Sequence, residues 1–200
     1  MSIIYGLDLL GTMVFAISGA MAANRSGIDI FGSAFTGFVT AIGGGSLRDV
    51  FLNLRPVWVD DSNYLIAILI GFAISLVANR QLYRIARTLS FFDAVGIGFF
   101  CIVGVQKSLT YESSATAAAI LGIFSAVMGG VLRDTLMNDT PLIFRKEVYA
   151  TACLSGAIIY IILQSWQVDT TINAFISTLT ITGIRLICVK YKLALPVVGG

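Results

Sequence analysis

Histidine is missing from all 200 residues, and with it go the commonest general base, proton shuttle and metal ligand. Charge is scarce as well. Thirteen Lys and Arg and eleven Asp and Glu make 12% of the chain, about half the roughly one quarter usual in a soluble domain. The net charge of +2 is too small to point to nucleic acid. Three cysteines, Cys101, Cys153 and Cys188, all fall in apolar runs at spacings that suit neither a metal site nor a local disulfide. Enzymatic chemistry, a resident metal and a cofactor are therefore not expected.

What is abundant is apolar surface: 57% hydrophobic residues and a mean hydropathy of +0.90 leave too few polar groups to cover a water-soluble core. The solvent implied is a bilayer. A spanning helix needs roughly 20 mostly apolar residues, and 3–23 supplies them with one acid, Asp8. No basic residue precedes that run, so it reads as a retained span rather than a cleaved leader. Further runs near 28–53, 64–80, 91–110, 115–138, 147–165 and 170–190 bring the expected total to seven.

Charge asymmetry orients them. Placing Arg80, Arg84 and Arg87 in the cytoplasm puts Arg25, Arg145, Lys146, Lys190 and Lys192 there too, leaving chiefly Arg55 and Lys107 opposite. The N-terminus is then outside and the C-terminus cytoplasmic, and a bacterial inner (plasma) membrane is the expected location. Arg80, Arg84 and Arg87 share a helical face suited to anionic lipid headgroups, although orientation alone also explains them. Trp58 and Trp166 fall near external ends of spans, where amphipathic rings favour the interface.

A shift of 85 residues superposes Asp8 on Asp93, Gly11 on Gly96, Phe15 on Phe100, Gly19 on Gly104 and Gly37 on Gly122. It also lays Gly44-Gly45-x-Leu47-Arg48-Asp49 on Gly129-Gly130-x-Leu132-Arg133-Asp134, and Asn53, Pro56 and Tyr64 on Asn138, Pro141 and Tyr149. Shared membrane composition does not align charges with charges and glycines with glycines, so the chain is read as a duplication. Three spans per copy is an odd number, and the second copy must enter the membrane in the opposite sense. The expected organisation is all-α: 1–90 a first three-helix repeat, 91–166 a second, inverted repeat, and 167–200 an extra seventh helix with the C-terminal tail.

Each repeat carries glycines inside its second span, at Gly43, Gly44 and Gly45 and at Gly129 and Gly130. A break there would free carbonyls at the negative end of a half-helix, an arrangement suited to cations. Ser46 through Asp49 has capping-box spacing for a restarted helix. The alternative is that the glycines simply permit close packing of helices.

Two arginines and two aspartates, Arg48, Asp49, Arg133 and Asp134, lie beside them, and burying four such groups in lipid costs on the order of 10 kcal/mol unless they are paired or hydrated. Neighbours on a helix point about 100° apart, so cross-repeat bridges, Arg48 with Asp134 and Arg133 with Asp49, are expected, either lining a pore or clasping the halves. Asp8 and Asp93 are candidate mouth charges or local helix-end partners. Thr40, Ser46 and Ser125 are candidate pore hydroxyls that could equally bond their own helix.

These tandem motifs make the chain resemble the prokaryotic branch of the trimeric intracellular cation (TRIC) channels, also catalogued under a glycine-transporter domain name. The resemblance spans nearly the whole chain and rests on the paired Gly-Gly-x-Leu-Arg-Asp segments, each followed by a proline seven residues after the aspartate. It implies a homotrimer with an hourglass pore in every subunit, lined by the second and fifth spans kinked at their glycines and passing potassium and sodium. Animal members carry a Lys-Glu-Val motif linked to phosphoinositide lipid, and Lys146-Glu147-Val148 reads the same here. A carrier for glycine or another small amino acid is the competing reading, with Arg48 or Arg133 gripping a carboxylate and an aspartate the ammonium; an assembly protein without transport is a third.

Overall fold

The computed structural model describes residues 3–81, 86–194 and 196, and the side chains of 78–88 are outside the described set. Arg84 therefore lies outside the described residues, and so do the side chains of Arg80 and Arg87. Eight α-helices make up the described chain: α1 Ile3–Arg25, α2 Ile30–Phe51, α3 Val57–Asp60, α4 Asn63–Gln81, α5 Ala86–Thr110, α6 Ala115–Leu136, α7 Ala150–Ser165 and α8 Thr170–Tyr191. A 3-10 turn, Leu142–Phe144, precedes α7.

Five of these helices (α1, α2, α5 from Leu89, α6 and α8) are long and apolar enough to cross a membrane. Of the other two expected spans, α4 is apolar over Asn63–Val77 among the residues whose side chains are described, and α7 is the shorter: at 1.5 Å per residue Ala150–Ser165 rises only about 24 Å against a hydrocarbon core of about 30 Å. The expected run at 147–165 becomes helical only from Ala150, because Glu147 and Val148 are non-helical and Tyr149 is the cap residue.

Helix ends follow local chemistry. Asp29 accepts from the amide of Gly32 at the start of α2, and Ser114 from that of Ala117 at the start of α6. Both helices close on an asparagine in the left-handed region, Asn53 (φ 56°) and Asn138 (φ 55°), followed by amides that reach back: Leu54 donates to the Asp49 carbonyl and Asp139 to the Asp134 carbonyl. These ends lie 85 residues apart.

The core repeats at the same offset. Phe15 and Phe100 stack on each other with ring centroids 5.0 Å apart. A Cβ on Gly37 would press on the Ala16 carbonyl, one on Gly122 on the Cys101 carbonyl; one on Gly44 would strike the Ser125 carbonyl, one on Gly129 the Thr40 carbonyl. Helices α1 with α2, α5 with α6, and α2 with α6 thus approach to backbone contact, which small residues alone permit in lipid. Helix α8 packs on α5 and α7.

Candidate functional site: a buried charge cluster on α2 and α6

Helix α2 runs unbroken through Gly43, Gly44 and Gly45, and α6 through Gly129 and Gly130. The expected interruption with a restarted, capped helix is corrected: these glycines serve contact between helices. The physical reason is on the opposing face, where a carbonyl oxygen stands against each of Gly44 and Gly129 at a distance no side chain tolerates. Gly43 meets the Leu132 side chain across the same interface. Ser46 caps nothing; its Oγ accepts from the indole Nε1 of Trp58 at 3.0 Å, tying α2 to α3.

About one turn beyond the contact, α2 carries Arg48 and Asp49 into the interior and α6 carries Arg133 and Asp134, all buried. The expected cross-repeat bridges between them are not formed. Arg48 Nε donates to Asp49 Oδ1 at 2.8 Å, and Arg133 Nε to Asp134 Oδ1 at 2.7 Å. Backbone directions 100° apart forbid contact between short side chains, but an arginine has enough rotatable bonds to fold back on its neighbour, and in a low-dielectric interior the nearest carboxylate wins. Each aspartate uses its other oxygen on the loop that follows. Asp49 Oδ2 accepts from the Val57 amide at 3.3 Å and Asp134 Oδ2 from the Leu142 amide at 3.2 Å, each just after its proline.

The links that do cross the repeat boundary use other residues. Lys107 of α5 donates to Asp49 Oδ1 at 2.8 Å, and Arg133 Nη1 donates to Ser18 Oγ of α1 at 2.6 Å. Asp8 and Asp93 are not mouth charges, for both are buried, 6% and 0% exposed. Tyr64 donates to Asp8 Oδ2 at 2.9 Å, Tyr149 lies 3.5 Å from Asp93 Oδ1, and Arg133 Nη1 bridges to Asp93 at 2.9 Å. Thr40 Oγ1 donates to the Thr36 carbonyl of its own helix, while Ser125 Oγ is buried without a partner. Lys146 is exposed, and the neighbouring Glu147 receives Arg185 of α8 at 2.6 Å.

Tyr64, Tyr149, Ser18, Lys107 and Arg185 were not singled out for this site from sequence. The two tyrosines carried a usable signal, since each lies 56 residues after its aspartate and the pair coincides at the repeat offset. Ser18 had none, because its equivalent is Val103. Apart from the Arg185–Glu147 pair, the cluster sets four carboxyl groups (Asp8, Asp49, Asp93 and Asp134) against three cationic side chains (Arg48, Lys107 and Arg133) inside the bundle.

A family profile described as "Glycine transporter" matches residues 5–80 and again 90–165, two matches whose starts differ by the repeat offset. The chain is 38% identical over 197 residues to a UPF0126 membrane protein of Vibrio cholerae, covering 98% of this chain and 82% of that one. It is 36% identical to the UPF0126 inner membrane protein YadS of Escherichia coli, covering 97% and 95%. A TRIC channel orthologue from Rhodobacter sphaeroides superposes with a TM-score of 0.91 at 29% identity over 96% of this chain and all of that one. A prokaryotic TRIC channel solved in 0.5 M KCl superposes at 0.87 with 27% identity, over 96% and 98%. The chain belongs to the glycine-transporter family, and its fold is that of the prokaryotic TRIC channels. Membership makes this chain a multi-pass membrane protein, and the solved neighbours it superposes on are cation channels.

Proposed function

We propose that the chain is a monovalent cation channel passing potassium and sodium, with a pore in each subunit between α2 and α6. The observation that carries this reading is the buried charge cluster on those two helices, set within a fold shared end to end with TRIC cation channels. Seven spans in two inverted three-helix repeats, with α8 as the addition, suit the 85-residue recurrence of contacts and helix ends. A homotrimer follows by analogy with the trimeric orthologue, and an inner-membrane home by analogy with YadS. The basic residues favour an outside N-terminus and a cytoplasmic C-terminus. Lys146 and the basic stretch at 80–87 remain candidates for lipid headgroup contact.

In this arrangement α2 and α6 touch at Gly44 and Gly129, so conduction requires them to part there. The charged groups then serve as hydrated lining rather than as dry ion pairs. Excess carboxyl over cationic groups favours cations in such a lining.

The family description favours a second reading, a carrier for glycine. Recording from purified protein in planar bilayers separates the two. Unitary potassium currents support the channel, whereas their absence alongside saturable glycine uptake into proteoliposomes supports the carrier; absence of both leaves the assembly role.

A further inference from the structure

The two halves of the cluster are not equally satisfied. Arg133 spends Nε on Asp134 and Nη1 on both Ser18 and Asp93. Arg48, fully buried, spends Nε on Asp49, and although Nη2 lies 2.7 Å from the same oxygen, neither Nη1 nor Nη2 has an acceptor in hydrogen-bonding geometry. A buried guanidinium nitrogen without an acceptor costs free energy, so something must supply one.

The offset explains the difference. The residue 85 positions after Ser18 is Val103, so a methyl group replaces the hydroxyl that Arg133 enjoys. The equivalent of the Asp93 bridge is also unmade, since no ion pair joins Arg48 to Asp8 among the described residues. The ring opposite stands back as well. A Cβ on Gly130 would lie 2.9 Å from the Tyr149 hydroxyl and 3.6 Å from Asp93 Oδ1; one on Gly45 would meet the Phe100 ring at 3.7 Å and Arg48 Nη2 at 3.8 Å, with neither Tyr64 nor Asp8 within 4 Å. Between them is a cavity lined by Asp8, Thr12, Ser46, Arg48, Tyr64 and Phe100, open to the centre of a water over about 10 Å³. That is room for one water, beside more than the two polar partners it needs.

We propose that this cavity is a water site, that Arg48 is held through water where Arg133 is held directly, and that Val103, occupying the place of Ser18, sets the difference. A water-held guanidinium is the easier of the two to move, so the α2 half is the one that yields when α2 and α6 part. This consequence rests on the channel reading; the water site does not.

Two readouts on the full-length wild-type protein in nanodiscs keep the two apart. Hydroxyl-radical footprinting should oxidise Tyr64 several times faster than Tyr149, although they are only 5% and 2% exposed, because radicals form from water beside Tyr64 alone. Val103→Thr, which exchanges a methyl for a hydroxyl at nearly constant shape, should bring the two rates together; Val103→Ala, without a hydroxyl, should not. In planar bilayers with potassium, Val103→Thr should lower open probability about tenfold and Ser18→Ala raise it, at unchanged unit conductance. Equal oxidation of the two tyrosines in the wild-type protein overturns the water site whatever the currents do. Unequal oxidation without any potassium current leaves the water site standing and removes the channel reading. Unequal oxidation with an open probability indifferent to Val103→Thr overturns the assignment of Val103.

Discussion

Replacing Gly129 by alanine tests what the diglycines are for. Two effects oppose each other. Alanine is a better helix former than glycine by about 1 kcal/mol, so a glycine kept only for flexibility should gain from the change. The added Cβ, however, would lie 2.5 Å from the Thr40 carbonyl oxygen and 3.0 Å from the Phe15 ring, about 0.9 Å inside the 3.4 Å at which ordinary contact with that oxygen begins. Neither neighbour is a flexible chain end: one is helix backbone, the other is stacked on Phe100. Overpacking of this kind costs about 1–3 kcal/mol, and an unyielding backbone puts it at the upper end, for a net loss of about 2 kcal/mol. Gly44→Ala, whose Cβ meets the Ser125 carbonyl more closely still, should cost more. Gly183→Ala on α8 and Gly6→Ala on α1 meet nothing within 4 Å and should be neutral or stabilising by up to about 1 kcal/mol. Equilibrium unfolding in mixed micelles reads all four. If Gly129→Ala and Gly44→Ala matched Gly183→Ala in sign, the contact role argued for the diglycines would be refuted and the break reading would return.

Arg133→Met should destabilise more than Arg48→Met by about 1–2 kcal/mol in the same assay, because it strands Asp93 and Asp134 while Asp49 keeps Lys107. Arg185→Met should loosen α8 by about 2 kcal/mol, measured as faster hydrogen exchange there, since it removes the contact to Glu147 and the stacking over Tyr149 but leaves Glu147 partly exposed. Asp61, in the loop between α3 and α4, accepts from the Tyr5 hydroxyl at 2.6 Å and the Asn63 amide at 2.9 Å, and the tyrosine bond, first, holds its carboxyl below the ordinary range of about 3.9. A depressed folded value stabilises above the unfolded pKa and fades as pH falls through the folded one, so Asp61→Asn should matter at neutral pH, matter less as pH falls below about 4 and cease to matter only below the lowered folded value. Carbon-13 titration of Asp61 should show its midpoint rise in Tyr5→Phe; an unmoved midpoint refutes the cause given.

What could be read from sequence, and what could not, divides along the reach of the residues involved. The 85-residue offset was legible because glycine, aspartate and arginine each occupy positions that backbone contact or buried charge makes hard to substitute, and the same residues reappear as paired contacts in the fold. Fold class followed from composition, since 57% apolar residues admit few other architectures. The pairing of the charges was not legible. An aspartate is short and its surroundings can be guessed from helix geometry, but an arginine sweeps a sphere wide enough to reach its own neighbour, the facing helix or a serine 115 residues away, and Arg133 does the first and the last. The glycines were ambiguous for a different reason: a break and a close contact demand the same residue, and only the carbonyl on the opposite helix decides between them.

The departures from repeat symmetry say more about function than the symmetry does. If both halves were chemically equal, every buried donor on one side would find its counterpart on the other, and the bundle would have no preferred place to open. Two substitutions at equivalent positions remove that equality. Val103, the equivalent of Ser18, carries no hydroxyl to offer Arg48, and Lys107, whose equivalent is Ala22, brings a second cation to Asp49 alone. Asp134 is therefore held by one cation and a loop amide, Asp49 by two cations and a loop amide, while Arg133 has three acceptor groups and Arg48 one. Satisfied and unsatisfied donors are thus sorted to different ends of one cluster, and in the channel reading the less satisfied side is the one predisposed to move.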